Sequence, residues 1–549
     1  MISIGRAIGN SNCVRSVEVW SDNPRSQQQS FLVHLADNRS IEHLKLHRSI
    51  DFDCTVLAPF LEQNINLRSI CCTDSISPTL ISVMSQSKMN RLARIDFRGS
   101  ELSDKSAAEL FSTLNVMPGL ENLLDVLLED NMIAHKGCIA LCALLDNSDC
   151  RMISLGLADN NIDDGCVGVL IGGLINYCSS LRSLSFGLYE PITSVGWKLF
   201  SVYLSHPECL LQKLILNPCR PGNACAAALG GSLAKNGTLN YLDFRSNEFT
   251  DEWREIFRCL VSPSALTELN LNDSSIDDEG AFDLFSVLAT NATLKKLILK
   301  SAHEISSVGW VACFQRLLYS QSALEILNFA HNAIDDEGAS VLATLLGSHM
   351  STVVSLNLKD NYSITANGIR KFVNVLSPSS TSKLKILRLR SYAGKMNDNL
   401  LIDFIAALSN NNSLNELDLG GSDVSVRTLD ALVNILCDKT SIANVCSSNH
   451  SLNIFHPDFY AVVDGSDVKG WRKYKLESLL KMNRNTDKAE VIRTKLLTFI
   501  FSDVDNIVRV FGSMDMSMMP DVMEWIGRDR LGRSVMFELC RKMPELFQE

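Results

Sequence analysis

Four groups of residues have the types and spacing that chemistry could use. His43 and His47 stand four apart around Lys45, and paired imidazoles could hold a metal ion. Acids gather in Asp277-Asp278-Glu279-Gly280, again in Asp335-Asp336-Glu337-Gly338, and in shortened form in Asp163-Asp164-Gly165, as the oxygen ligands of a calcium loop would. Cys71 and Cys72 are adjacent thiols, and Lys296, Lys300, Lys359, Arg388 and Arg390 are cations at recurring intervals. The first three groups have plainer readings. The acids lack the alternating ligands and the closing Glu of an EF-hand, whereas an Asp at a helix start caps free N–H groups and complements the helix dipole. The histidines lie on an alternating stretch and point to solvent with Lys45, and one of the two cysteines is turned into the core. No phosphate loop G-x-x-x-x-G-K-[S/T], H-E-x-x-H, G-x-S-x-G or kinase signature occurs. The sequence therefore assigns no catalytic residue, no cofactor and no metal, and the expected protein is not an enzyme.

What positions these residues is a repeat. Leu266-x-x-Leu269-x-Leu271, Leu294-x-x-Leu297-x-Leu299, Leu324-x-x-Leu327-x-Phe329, Leu384-x-x-Leu387-x-Leu389 and Leu414-x-x-Leu417-x-Leu419 superimpose. Anchors of the same kind run from Val17 through Leu44, Ile70, Ile95, Val126, Leu155, Leu184, Leu214, Leu242 and Leu356 to Val445, giving about sixteen units spaced by roughly 28 to 29 residues. The alternating stretch predicts a short strand, leucines inward and intervening residues outward. An Asn often follows the strand (Asn131, Asn160, Asn247, Asn332, Asn361), where its amide can satisfy backbone groups. The acidic segment then caps a helix whose apolar stripe is Ala281, Leu284, Phe285 and Leu288. Each helix ends in an Asn with an apolar residue three places on (Asn38/Ile41, Asn236/Leu239, Asn291/Leu294, Asn411/Leu414, Asn449/Leu452), expected to take the left-handed backbone that ends helices. That fixed place also explains most of the Asn-x-Ser/Thr triplets.

The length of 549 residues exceeds one ordinary core, which a repeat array does not need. Apolar residues are 46 % and charged residues 21 %, the balance of a folded chain, and a net charge of -11 disfavours nucleic acid and anionic membranes as partners. Seventeen cysteines without a C-x-x-C pair fit a reducing compartment, and no apolar run is long enough to span a membrane. The expected location is the cytoplasm, with the nucleus left open.

The strand L-x-x-L-x-L-x-x-N-x-I, then D-D-E-G, a helix and N-x-S-L resembles the ribonuclease-inhibitor-like class of leucine-rich repeats over residues 14–452. Cys437 to Leu452 and the tail Met543 to Leu546 are similar to a leucine-rich-repeat group common in single-celled algae. The resemblance implies an α/β horseshoe solenoid with an inner parallel sheet and outer helices, here residues 1–452. A helical C-terminal capping region, 453–549, is expected to follow, with helices near Lys473 to Asn485, Lys488 to Phe501 and Arg533 to Met543. Pro191, Pro218 and Pro221, with Tyr189 and Cys219 in place of the turn Asn, predict bulges in two units. Ile4 to Asn10 reads as the tail of a repeat helix, so an exposed edge or an earlier natural start is expected. The function expected of the resemblance is a scaffold that binds a protein partner on its concave face. Two alternatives are a GTPase-activating protein of the Ran-activator type, whose acidic tail has no counterpart here, and a ubiquitin-ligase substrate adaptor. Outward positions of the units anchored at Leu297 to Leu387 carry Lys296, Lys300, Lys359, Arg388 and Arg390 and no acid, bounded by Glu268, Glu416 and Asp418. These cations are the candidate contact residues for an acidic partner. Reversing Lys300, Lys359 and Arg388 is expected to leave the fold intact, at under about 0.5 kcal/mol for isolated surface changes.

Overall fold

The computed structural model describes most of residues 8–500, apart from short segments of which 20–30 and 457–466 are the longest, and beyond 500 only residues 524–527, 535, 537 and 541. The proline-disturbed positions Tyr189, Pro191, Pro218, Cys219 and Pro221, and most of the helix expected near Arg533 to Met543, lie outside the described residues. The chain divides into two compact units, Met1–Glu304 and Ile305–Glu549. The first holds β1 Ser16–Val19, β2 His43–His47, β3 Ser69–Thr73, β4 Arg94–Asp96, β5 Asp125–Leu127, β6 Ser154–Gly156, β7 Ser183–Ser185, β8 Lys213–Ile215, β9 Tyr241–Asp243, β10 Glu268–Asn270 and β11 Lys296–Ile298. The second holds β12 Ile326–Asn328, β13 Ser355–Asn357, β14 Ile386–Arg388, β15 Glu416–Asp418 and β16 Ile454–His456.

Within each unit every strand is parallel to the next, and the anchors stand in register, Leu269 beside Leu242 and Leu297, Leu387 beside Leu356 and Leu417. Helices alternate with the strands, and their apolar stripes cover the inward anchors. In Asp278–Leu288 the buried residues are the predicted Ala281, Leu284, Phe285 and Leu288. The expected α/β leucine-rich-repeat architecture is what the chain adopts.

The acidic segments are caps. Asp277 accepts the Gly280 N–H at 2.8 Å, Asp335 that of Gly338 at 3.0 Å and Asp163 that of Cys166 at 2.8 Å. The second Asp does something the sequence reading did not foresee, because it caps the helix of the following repeat. Asp336 accepts the N–H of Thr365 at 2.6 Å and of Gly368 at 3.1 Å, Asp164 those of Thr193 and Gly196, and Asp104 those of Ala134, Lys136 and Gly137. The glycine in this place is required by contact. A Cβ on Gly196 or Gly368 would stand 2.4 Å from the carboxylate of Asp164 or Asp336.

The two asparagine columns stitch repeats together. Asn160, 4 % exposed, donates to Leu128 O of the preceding repeat and to Leu157 O and Ala158 O of its own, and accepts the Ile133 N–H. The residue before it takes the left-handed backbone, as do its equivalents Asp130, Ser246, Asp273, Ser301, His331 and Asp360. The helix-ending asparagines correct an expectation, for none of them is left-handed. Their side chains do the work instead: Asn291 Oδ1 accepts the N–H of Thr293 and Leu294, and its amide donates 2.7 Å to Leu260 O of the repeat before.

Val445 is a second correction. It is buried in the helix Ile442–Ser447, and the last strand is Ile454–His456, with Phe455 beside Leu417. The rule that an anchor follows three residues after the Asn/Leu pair, as Leu297 follows Asn291/Leu294, places it at Phe455 after Asn449/Leu452. A triplet of alternating apolar residues is too short to outweigh that rule. The helix Asp467–Met482 follows, and Asn483 repeats the same role with bonds to Asn449 O and Leu452 O. The next helix, Lys488–Lys495, continues as a wider turn, Leu496–Ile500. Two of its cations are buried against carbonyls. Arg493 donates to Trp525 O and Ile526 O, both at 3.0 Å. Lys495, fully buried, donates to Leu436 O at 2.6 Å and Asn449 O at 3.2 Å, with His450 Nδ1 at 2.9 Å. Burial lowers the Lys495 ammonium to about 7 and the His450 imidazole, beside that ammonium, to about 4.

Candidate binding face

The outward residues of successive strands form columns on the sheet face turned away from the helices. In the first unit, Lys296 at the start of β11 places its ammonium 3.0 Å from Glu268 of β10. Lys300 lies just past the end of the same strand, its backbone N–H on Asn272 Oδ1 at 3.0 Å. In the second unit, Arg388 holds Glu416 of β15 through Nε and Nη2, the latter at 3.0 Å. Lys359 Nζ is 2.7 Å and Arg390 Nε 3.4 Å from Asp418. Thus Lys359, Arg388 and Arg390 come together around two carboxylates that are almost completely buried, Glu416 at 8 % and Asp418 at 1 % exposed.

The acids that the sequence placed at the rim of the cationic stretch are therefore its counter-ions, because parallel register sets Glu416 beside Ile386 and Asp418 beside Arg388. One expectation changes in consequence. Reversing Lys359 or Arg388 would strand a buried carboxylate, and breaking such a pair costs about 3–5 kcal/mol, well above the expected surface value. Lys300 is the residue of the three whose reversal leaves no such carboxylate behind.

His43, His47, Cys71 and Cys72 alternate along β2 and β3 as read, but His47 does not point freely to solvent, its side chain being 12 % exposed. His43 Nδ1 bonds Ser69 Oγ at 2.8 Å, and His47 bonds Glu18 and, at 3.2 Å, Thr73. Cys72 is buried and Cys71 half-buried on the outward side, where burial raises its thiol. Among the described residues no group of three or more His, Cys, Asp or Glu could hold a metal ion. No described helix is long and apolar enough to cross a membrane. Elsewhere on this face Glu129 leans over Gly156, burial raises its carboxyl, and burial beside Asp130 and Glu129 pushes Asp159 up to about 6.

Sequence reasoning passed over a densely bonded group on the face, Tyr241, Asp243 and Arg245. Asp243 is fully buried at an outward position and accepts from Arg245 Nε at 3.0 Å and from Tyr241 OH and Asn270 Nδ2 at 3.1 Å each. Burial and the adjacent Asp243 raise the Tyr241 phenol. The signal that could have found it is the order aromatic or base, Leu or Ile, Asp, Phe, Arg. It recurs in Arg94-Ile95-Asp96-Phe97-Arg98, where Asp96 is likewise buried and bonded by Arg94 and Arg98.

Comparison with known proteins places this face in context. The Leucine Rich repeat family matches residues 264–285 and 322–343. The ribonuclease inhibitor of Mus musculus is 25% identical over 66% of this chain and 83% of its own length, and that of Sus scrofa 23% over 70% and 88%. NACHT, LRR and PYD domains-containing protein 4E of Mus musculus is 26% identical over 47% of this chain, a match that spans only 26% of that relative. A chain from the crystal structure of the Rad7 and Elc1 complex in yeast aligns over 79% of this chain and 83% of its own, at 13% identity and a TM-score of 0.39. The repeat seen in the strands, caps and asparagine columns and the relatives that share it agree: the chain is built of leucine-rich repeats similar to those of the ribonuclease inhibitors.

Proposed function

We propose that this protein is a cytoplasmic, non-catalytic scaffold that holds an acidic protein partner against the outward strand face, the concave face of the expected horseshoe. On the first unit the candidate contact residues are Lys296 and Lys300, and on the second, as a contact surface in its own right, they are Lys359, Arg388 and Arg390. The observation that carries the reading is the bonding of these cations. Arg388 and Lys359 remain about one-third exposed while carboxylates of β15, Glu416 and Asp418, fix their heads. Side chains already held in place lose little freedom when a partner arrives, which favours binding. The ribonuclease inhibitors, of which the alignment covers more than four-fifths, are named for action on another protein. The test is affinity purification with mass spectrometry, followed by association kinetics for each recovered partner. Lys300→Glu and Arg390→Gln should slow association in a salt-sensitive way. Unchanged kinetics at low salt would remove these cations from the site.

A further inference from the structure

Tyr241, Asp243 and Arg245 occupy alternate positions along β9 and its continuation, so all three belong to the outward face. An acid in such a position ordinarily stays wet. Asp243 is instead 0 % exposed, enclosed by its own donors: Arg245 Nε, the Arg245 backbone N–H at 3.1 Å, Tyr241 OH, and Asn270 of β10. Arg245 spends Nε and Nη2 on that carboxylate, and its side chain is still 43 % exposed. On the other side of Tyr241, Lys213 of β8 holds its ammonium 4.9 Å from the ring centroid. An aromatic ring is thus flanked by a lysine and an arginine, each held by a contact within the unit.

The charge of the surroundings selects the ligand. Across β8 to β11, counted from the start of each strand through its turn residue, the face carries four cations, Lys213, Arg245, Lys296 and Lys300, against three acids, Asp243, Glu268 and Asp273. Asp243 is buried and Glu268 is engaged by Lys296. The local excess is one positive charge, four against three, on a chain whose net charge is -11. Tyrosine and arginine are the residue types that most often dominate interface energies, and fixed cations of one sign admit partners of the other.

We propose that Tyr241, Arg245 and Lys213 form the anchor point for an acidic segment of a protein partner, with Asp243 as the positioning residue that holds ring and guanidinium in place. The assignment rests on the strand-face reading above and names where on that face the segment seats. An incoming carboxylate meets Lys213 Nζ and the free edge of Arg245, with its aliphatic stem against the Tyr241 ring.

Fluorescein-labelled octa-glutamate, titrated into the full chain at low salt and followed by anisotropy, tests the proposal, because the positioning role and a diffuse positive field predict opposite signs. Asp243→Asn removes a negative charge, so a diffuse field would tighten binding. Loss of positioning should weaken it by on the order of tenfold. Tyr241→Phe changes no charge, removes one hydroxyl and leaves the fold in place should Asp243→Asn not fold. It should weaken binding by about threefold, the scale of one modest hydrogen bond. Equal or tighter binding by Asp243→Asn, unchanged binding by Tyr241→Phe, or no binding of the peptide to the wild type each overturns the anchor. Hydrogen exchange with the peptide bound separates the two readings. Protection confined to helices would sink the strand-face reading, whereas protection on β8 to β11 with both variants neutral would sink the anchor alone.

Discussion

Replacing Asn160 by Ala tests whether the turn asparagines hold the repeats to one another. The side chain is 4 % exposed and makes four hydrogen bonds, three donated and one accepted. Not all of them count equally. Leu128 O keeps a second donor in Asn131 at 2.9 Å, and Ala158 O keeps the Asp130 N–H at 2.9 Å. The Ile133 N–H, buried in the preceding repeat, is left with nothing in place of Oδ1, and Leu157 O loses its amide donor. A buried polar group left unsatisfied costs about 1–3 kcal/mol, so the variant should lose roughly 2–4 kcal/mol. The loss should also be shared by two repeats, since the bond to Ile133 crosses between them. Urea unfolding measures the first quantity, and amide exchange over residues 128–135 the second. Asn410→Ala is the control, because the Asn410 side chain is exposed and bonds only Ser409 Oγ, at 3.4 Å. It should stay within about 0.5 kcal/mol of wild type. If Asn160→Ala costs under about 1 kcal/mol, or if Ile133 keeps its protection, the asparagine column does not couple the repeats as argued.

Two further perturbations follow from the same geometry. Gly196→Ala should lower the melting temperature, because its Cβ would meet Asp164 at 2.4 Å and the Ile192 methyl at 2.3 Å. Gly172→Ala, with nothing within 4 Å, should raise it, the stability gain being the roughly 0.5–1 kcal/mol that alanine has over glycine in a helix, and the same direction for both would contradict the cross-repeat cap. Lys495 provides the pH test. Its folded pKa of about 7 lies below its unfolded value, so between pH 7 and 10 the unfolded chain binds the extra proton and stability rises with pH, by about 1 kcal/mol per unit. Chemical unfolding of wild type against Lys495→Met at pH 7 and 9 isolates that slope, and parallel curves for the two proteins would refute it.

The fold was legible because the information that sets it is local and repeated. Leu269, Leu297 and Leu327 announce inward strand positions by their period, and Asp277 and Asp335 announce helix starts by their type. What was not legible is what one repeat does to the next. Asp164 and Asp336 look like surplus acids within their own helices, and only the stacking of units shows that they cap Thr193 and Thr365. The same limit governs the face. That Arg388 and Lys359 point outward follows from alternation. That Glu416 and Asp418 reach back to hold them depends on register across one and two strands, between residues that lie far apart in the chain.

This distinction bears on how charge should be read in such an array. A count along the chain treats Asp243 as one more acid in a total of -11, and a count of outward positions treats it as a charge shown to a partner. The structure makes it neither, because a carboxylate enclosed by Arg245, Tyr241 and Asn270 is invisible to a ligand except through the groups it holds. The same holds for Asp418 between Lys359 and Arg390 and for Asp96 between Arg94 and Arg98. On this sheet, buried acids fix exposed bases. Removing such an acid therefore adds positive charge and loosens the bases that carry it, and the two effects oppose each other in binding. Where positioning outweighs charge, loss of a negative residue weakens capture of a negative partner, an outcome that net charge alone cannot produce.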